Sequence, residues 1–453
     1  MSYPRYAKYK DSGVAWLGEV PAHWEVGRLK HVCHAFPSNV DKKSYENQDQ
    51  ILLCNYTDVY YNDEITSNIT FMEATASDEE VAKFKLEPGD TIITKDSETP
   101  DDIAVSAYVP SVLPGVVCGY HLTIVRPSSI MFGRYVKRLF DSTFSRAQFS
   151  VAANGLTRFG LSQYAIDNAL FPIPPFAEQS AIAAFLDREA GRIDALVAEQ
   201  EKLMALLAEK RQAVISHAVT KGLDPDAPMK DSGVEWLGKV PKHWDIKRLK
   251  FLAHVQGGVA KGRDLGDAET IEVPFLRVAN VQDGYLDLDD VATIQIAKNE
   301  LERYSLRPGD VLMNEGGDFD KLGRGHIWHG EIEPCIHQNH VFAVRPDGIE
   351  SEWLDLLTSA ESGRFYFMSR SKQSTNLASI SSTNICEFPV VCPPFAERQA
   401  IVAYIKAETA RLDALTAEAR RAIDLLKERR AALISAAVTG RIDVRGLAGE
   451  KAA

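Results

Sequence analysis

Several stretches of this 453-residue chain gather side chains able to meet a ligand. NEGGDFDKLGRG, Asn314 to Gly325, holds four glycines. Its backbone can approach a ligand closely, while Asn314, Lys321 and Arg324 offer donors to phosphate or a base edge. The plain alternative is a long surface loop, and the segment fits neither a P-loop nor a GxGxxG pattern. KQSTNLASISS, from Lys372, contains Gln373 and Asn376, and ANGLTRFGLSQ, from Ala153, contains Arg158. Such amides, hydroxyls and cations either read base edges or cap helix starts. Lys95, directly after TIIT, joins this set of candidate contacts. CIHQNH, Cys335 to His340, is dense in metal-ligand types, but strand alternation puts Cys335, His337 and Asn339 on one face and His340 on the other. Polar contacts at a strand lip are the preferred reading, with no metal site assigned. No catalytic constellation emerges: there is no GxSxG or HExxH, no AdoMet or nucleotide loop, and no DPPY-like methyltransferase or PD…ExK nuclease pattern.

The elements that must position these residues occur twice. KDSGVAWLGEVPAHWEVGRLK from Lys10 returns as KDSGVEWLGKVPKHWDIKRLK from Lys230, and PPFAEQSAIAAFLDREAGRIDAL from Pro174 returns as PPFAERQAIVAYIKAETARLDAL from Pro393. A displacement of about 220 residues marks a duplicated domain, since solenoid periods run roughly 20–50. Between these ends residues 31–172 and 251–391 diverge. They keep LEPGDTIIT at Leu86 against LRPGDVLMN at Leu306, and GYHLTIVRP at Gly119 against QNHVFAVRP at Gln338. Pro-Gly-Asp marks a tight turn before a strand, and TIIT, VLMN, LTIV and VFAV read as buried strands. FGRYVKRLFDST and SEWLDLLTSAES read as short amphipathic helices. Each middle is expected to be an α+β domain with a mostly antiparallel or mixed sheet.

Each PPFAE segment opens a long helix. Ile182, Leu186, Ile193 and Leu196 step by threes and fours, as do Ile401, Ile405, Leu412 and Leu415. Paired prolines mark the starts, and Gly222 and Gly440 mark the stops. Two matched helices favour an antiparallel coiled coil that joins the domains with pseudo-two-fold symmetry. The expected division is 1–172, first globular domain with its signature at 10–30; 173–222, first long helix; 223–392, second globular domain with its signature at 230–250; 393–440, second long helix; and 441–453, a tail.

A hydrophobic content of 45% and a charged content of 25% are ordinary for a globular protein. No apolar run approaches the roughly 20 residues of a membrane span. The charged start, MSYPRYAKYKDSG, lacks a signal peptide's apolar core. Six scattered cysteines without a CxxC pair read as reduced thiols in a cytoplasm. The net charge of −12 speaks against nucleic acid, which calls for a basic face.

With its DSGVxWLGxVPxHW segments at Asp11 and Asp231, PPFAEQ at Pro174, PPFAERQ at Pro393, the helix ends KRQAVISHAVTKG and RRAALISAAVTG, and the glycine-rich loop, the chain resembles the DNA-specificity subunits of type I restriction–modification systems. Arg398 departs from the family's usual glutamine. The resemblance covers almost the whole chain. It implies a non-catalytic subunit with two target-recognition domains, each reading half of a split site in double-stranded DNA across a helical spacer. It implies two methyltransferase subunits as partners, with restriction or translocase subunits able to join. AdoMet, ATP and Mg would then belong to the partners, and this chain would hold no cofactor. Two alternatives are a scaffold whose domains bind proteins and a metal-dependent hydrolase built on Cys335–His340.

Overall fold

The computed structural model describes residues 3–317, 322–374 and 377–447. Two compact units form, residues 1–201 with 420–453 and residues 202–419. The long helices, Phe176–Lys221 and Phe395–Val438, are each shared between the units.

In the first unit the Pro-Gly-Asp mark becomes one half of a clamp. Gly89 turns with φ +99°. Asp90 then accepts from the Glu87 N–H at 2.8 Å and from Arg126 Nε and Nη2 at 2.8 and 2.7 Å. The arginine belongs to the VRP mark, so two short motifs far apart in sequence tie neighbouring strands together. Bidentate carboxylate–guanidinium pairs of this kind are among the stronger hydrogen-bonded contacts. The second unit repeats it: Asp310 accepts from the Arg307 N–H at 2.8 Å and from Arg345 Nε and Nη2, both at 2.7 Å.

The strands these clamps join have one topology in both units. In the first, Cys33–Pro37, Leu122–Pro127, Thr91–Thr94 and Ser106–Tyr108 make an antiparallel four-stranded sheet. Val116–Cys118, Asp49–Cys54 and Met72–Ala76 make a three-stranded sheet whose first pair is parallel. In the second, Ala253–Gly257, Val341–Pro346, Val311–Asn314 and Gly325–Ile327 correspond to the four, and Ile336–His337, Thr270–Leu276 and Ala292–Ala297 to the three. The mixed-sheet α+β expectation is met. Behind each sheet lies a short helix with a different solution to the same packing problem. Gly133–Phe140 buries Lys137 and Arg138 against Asp63, Asp141 and Asp187. Burial pushes the Asp63 carboxyl up, but Lys137 and Arg138 more than offset that and hold it below the usual carboxylate range. Ser351–Ser359 instead buries Trp353, Leu354 and Leu357.

The repeated signature is a socket. Tyr9–Asp11 pairs with Glu19–Pro21, and Trp24 is buried with its Nε1 donating to Glu178 Oε2 at 2.9 Å. The end of the second long helix closes on it: a Cβ at Gly440 would stand 2.3 Å from Pro21, at a φ of +72°. The stop glycine therefore serves close approach as well as chain reversal. In the second unit Gly222 lies against Trp244 in the same way.

Within each unit the helices run antiparallel. In the first, Ile182, Leu186 and Ile193 share a core with Leu433, Ile434, Ala437 and Val438, and Arg430 Nε meets Asp194 at 2.9 Å. In the second, Ile215, Ala218 and Val219 share a core with Ile401, Val402 and Ile405, and Arg211 meets Asp413 at 2.5 Å. Leu412 is also buried. Two expected seam residues are corrected: Leu196 is 45% exposed and Leu415 is 41% exposed. A straight helix drifts relative to a strict heptad, so the inward position falls four residues on rather than three. Val197 packs on the first unit's core after Ile193, and the half-buried Thr416 follows Leu412.

Candidate nucleic-acid interface

The strand Thr91–Thr94 ends at Lys95, and here the first unit assembles a polar lip. Lys95 donates its N–H to the His121 carbonyl at 3.0 Å and accepts from the Leu161 N–H at 2.8 Å. These two bonds hold three segments side by side: the sheet end, the Tyr120–His121 turn, and the hairpin of ANGLTRFG. Asn154 and Gly160 exchange backbone bonds of 3.1 and 2.9 Å, closing the hairpin. Its turn requires glycine, because a Cβ at Gly155 would sit 1.9 Å from the Arg158 carbonyl oxygen. At the tip Leu156 is 99% exposed. Arg158 folds back so that Nε and Nη2 reach Asp96 Oδ1 at 3.0 and 2.5 Å. The other oxygen of Asp96 takes His121 Nδ1 at 2.5 Å. Lys95 Nζ lies 4.4 Å from the centre of the exposed Tyr120 ring, a cation–π contact. Beside the lip, Lys42, Asn55, Tyr56, Met72, Tyr120 and His121 line a cleft of about 380 Å³. The arrangement offers hydrogen-bond donors, a fixed imidazole and stacking surface, as base and backbone contacts need.

The second unit builds the same lip with other side chains. Glu315 occupies the place of Lys95: its N–H donates to the His340 carbonyl at 2.9 Å, and its carbonyl accepts from the Ile380 N–H at 2.8 Å. His340 Nδ1 meets Glu315 Oε2 at 2.7 Å. A hairpin again lies alongside, with Lys372–Ser374 pairing Leu377–Ser379, and Lys372 exposed on it. Arg324 is half-buried and lines a cleft of about 220 Å³ with Asp283, Thr358, Ser359 and Arg364. Lys321 and Asn376 lie outside the described residues, as does the side chain of Gln373.

Asn314 is corrected as a direct contact. It is fully buried, and its Nδ2 donates to the carbonyls of Val281 at 2.8 Å and Val278 at 3.4 Å. The amide stitches the sheet to the neighbouring turn instead of facing a ligand. Cys335–His340 likewise does not converge. Cys335 and His337 are buried, and His337 Nδ1 meets the Val341 carbonyl at 2.7 Å. Burial pushes the His337 imidazole below its ordinary range, toward the neutral form. His340 turns the other way, to Glu315. Among the described residues no three His, Cys, Asp or Glu side chains are grouped to hold a metal.

Sequence reasoning missed Asp96 and Glu315 as members of these lips. The available signal was the repeated histidine, His121 and His340, facing a carboxylate just past the repeated strand.

Residues 21–203 match the model of the type I restriction modification DNA specificity domain. Over 446 residues, 94% of this chain and 90% of the relative, the sequence is 24% identical to the type I restriction enzyme EcoKI specificity subunit of Escherichia coli strain K12. Along most of its length the chain is thus similar to type I restriction enzyme specificity subunits. The StySPI specificity subunit of Salmonella potsdam is also 24% identical, over 439 residues, with 94% of this chain and 90% of the relative covered. A solved chain from a study of complex assembly and conformational transition of the type I R-M system shares the fold. Its TM-score is 0.68 at 18% identity, covering 92% of this chain and 98% of the other. Among the described residues no helix is long and apolar enough to cross a membrane.

Proposed function

We propose that this chain reads a split, asymmetric site in double-stranded DNA, one half at the lip of each unit. Arg158 and Lys95 contact the first half; Lys372, Gln373, Asn376, Lys321 and Arg324 contact the second. The single observation that carries this reading is the duplicated lip: one topology, one backbone hydrogen-bond pattern, and different side chains at the surface. A frame that repeats while its outward groups change is what two different readers require. The target domains span residues 1–172 and 223–392, and the spacer helices 173–222 and 393–440. Those helices dock two methyltransferase subunits, which restriction subunits can join in the cytoplasm. The chain itself carries out no reaction; AdoMet, ATP and Mg serve the partners. Its net charge of −12 leaves much of the phosphate neutralisation to those partners.

That same charge favours the second reading, a scaffold whose globular domains bind proteins. One experiment separates the two. The complex assembled with its methyltransferase subunits is bound to a library of randomised duplexes, and the retained sequences are determined. Two short conserved blocks separated by an unread gap of fixed length are expected. Retention without any sequence enrichment would favour the scaffold.

A further inference from the structure

We infer that Asp96 is a positioning residue for base reading, and that it acts by fixing which nitrogen of His121 carries the proton. This rests on the proposed reading of the first lip as a DNA contact. A carboxylate only accepts hydrogen bonds. With Asp96 Oδ2 at 2.5 Å, His121 Nδ1 must therefore be the donor. In the neutral imidazole Nε2 is then left as an acceptor. The other carboxylate oxygen holds Arg158, so one side chain orients both outward groups. His121 itself sits at φ +74°, a left-handed backbone that few residues adopt without local support. The imidazole is partly exposed at the lip while Asp96 is largely covered beneath it. The second unit keeps the device with a different carboxylate, Glu315 on His340 Nδ1 at 2.7 Å. That unit has no counterpart of Asp96 in sequence, since Gly316 takes that place. Recurrence of the pairing from a different position indicates that the pairing itself matters, not merely inheritance of a residue.

With the imidazole neutral, the Nε2 acceptor at the lip has a defined complement in the major groove. It suits the exocyclic amine of adenine or cytosine, and it disfavours the O6 and N7 acceptors of guanine and the O4 of thymine. The chain thus reads an amino-bearing base at one position of each half-site, through His121 in the first and His340 in the second.

The test is the Asp96→Asn variant in the complete methyltransferase complex, scored by selection from randomised duplexes. Asparagine keeps the size of the side chain but can donate to Nδ1, which turns Nε2 from acceptor into donor. Discrimination for the amino-bearing base at one position of the first half-site should fall by about ten-fold, with the second half unchanged. Glu315→Gln should do the converse. Should Asp96→Asn fail to assemble, His121→Asn, which tolerates the left-handed backbone, must relax the same position. An unchanged motif would overturn the inference. So would a uniform loss of affinity for all sequences, because that is what a merely structural carboxylate would give. If the unaltered complex selects no split motif, the reading of the lips as DNA contacts falls too; if it does and Asp96→Asn leaves every position alone, only this inference falls.

Discussion

Asn314 and Lys372 are both polar residues beside a strand, and sequence treats them alike. Their surroundings separate them. The Asn314 amide donates to the Val281 and Val278 carbonyls inside the second unit, whereas Lys372 is exposed on a hairpin. Asn314→Ala should therefore cost about 1–3 kcal/mol of stability by leaving buried carbonyls without donors. Lys372→Ala should leave stability within about 0.5 kcal/mol and instead reduce the salt slope of DNA binding by about one unit. Thermal unfolding and a salt titration of binding distinguish these; a destabilised Lys372 variant or a stable Asn314 variant would reverse the assignment. His337 makes a pH prediction. Burial lowers its folded value below the 6.5 of the free side chain. Between those two values the unfolded chain binds a proton that the folded chain does not, so stability is present above 6.5 and is lost as pH falls below it. The Asp355-paired His326 is shifted upward and contributes with the opposite sign. Replacing His337 by Gln should flatten the fall in unfolding temperature between about pH 7 and pH 5, since His is the side chain that titrates there. An unaltered slope would mean that its burial does not control acid sensitivity.

At the scale of elements, the helices were the most legible part of the sequence. Pro-Pro starts and glycine stops bracket Phe176–Lys221 and Phe395–Val438 to within a few residues. Their phase was less legible. Apolar leucines at 196 and 415 fit a three-residue step, but helix geometry carries the inward face to Val197 and Thr416, and only packing reveals it. Ile193→Ala or Ile405→Ala should cost about 2–5 kcal/mol, while Leu196→Glu or Leu415→Glu should fall within about 0.5 kcal/mol. Equal losses at all four, by denaturant unfolding, would restore the heptad register. The strands were legible too, because Pro-Gly-Asp and VRP recur. That they clamp each other was hidden, since Asp90 and Arg126 lie 36 residues apart. The lips were the least legible. Asp96 and His121 meet across 25 residues through a turn whose conformation no periodicity describes. If the helices set the distance between half-sites, four residues added to each, after Glu201 and after Ala419, should lengthen the unread gap. At about 1.5 Å per residue the insertion adds about 6 Å and keeps the seam nearly in phase. That corresponds to about two base pairs at about 3.4 Å each. Two-residue insertions turn the seam aside and should impair assembly. An active four-residue variant with its original gap would remove the helices as the ruler.

At the scale of the molecule, one design is used twice. The clamp, the signature socket, the helix-end glycine and the backbone pattern of the lip all recur. The histidine on each lip, His121 or His340, recurs with its carboxylate partner, but the side chains around it do not: Lys95 and Arg158 in one, Glu315 and Lys372 in the other. On the proposed reading, this division of labour makes two independent readers. The most direct test exchanges residues 31–172 for the equivalent region of a relative with a different target and maps methylated adenines in cells carrying the partner subunits. One half of the methylated motif should change to that of the donor, with the other half and the gap retained. A motif that changes in both halves, or in neither, would contradict the account.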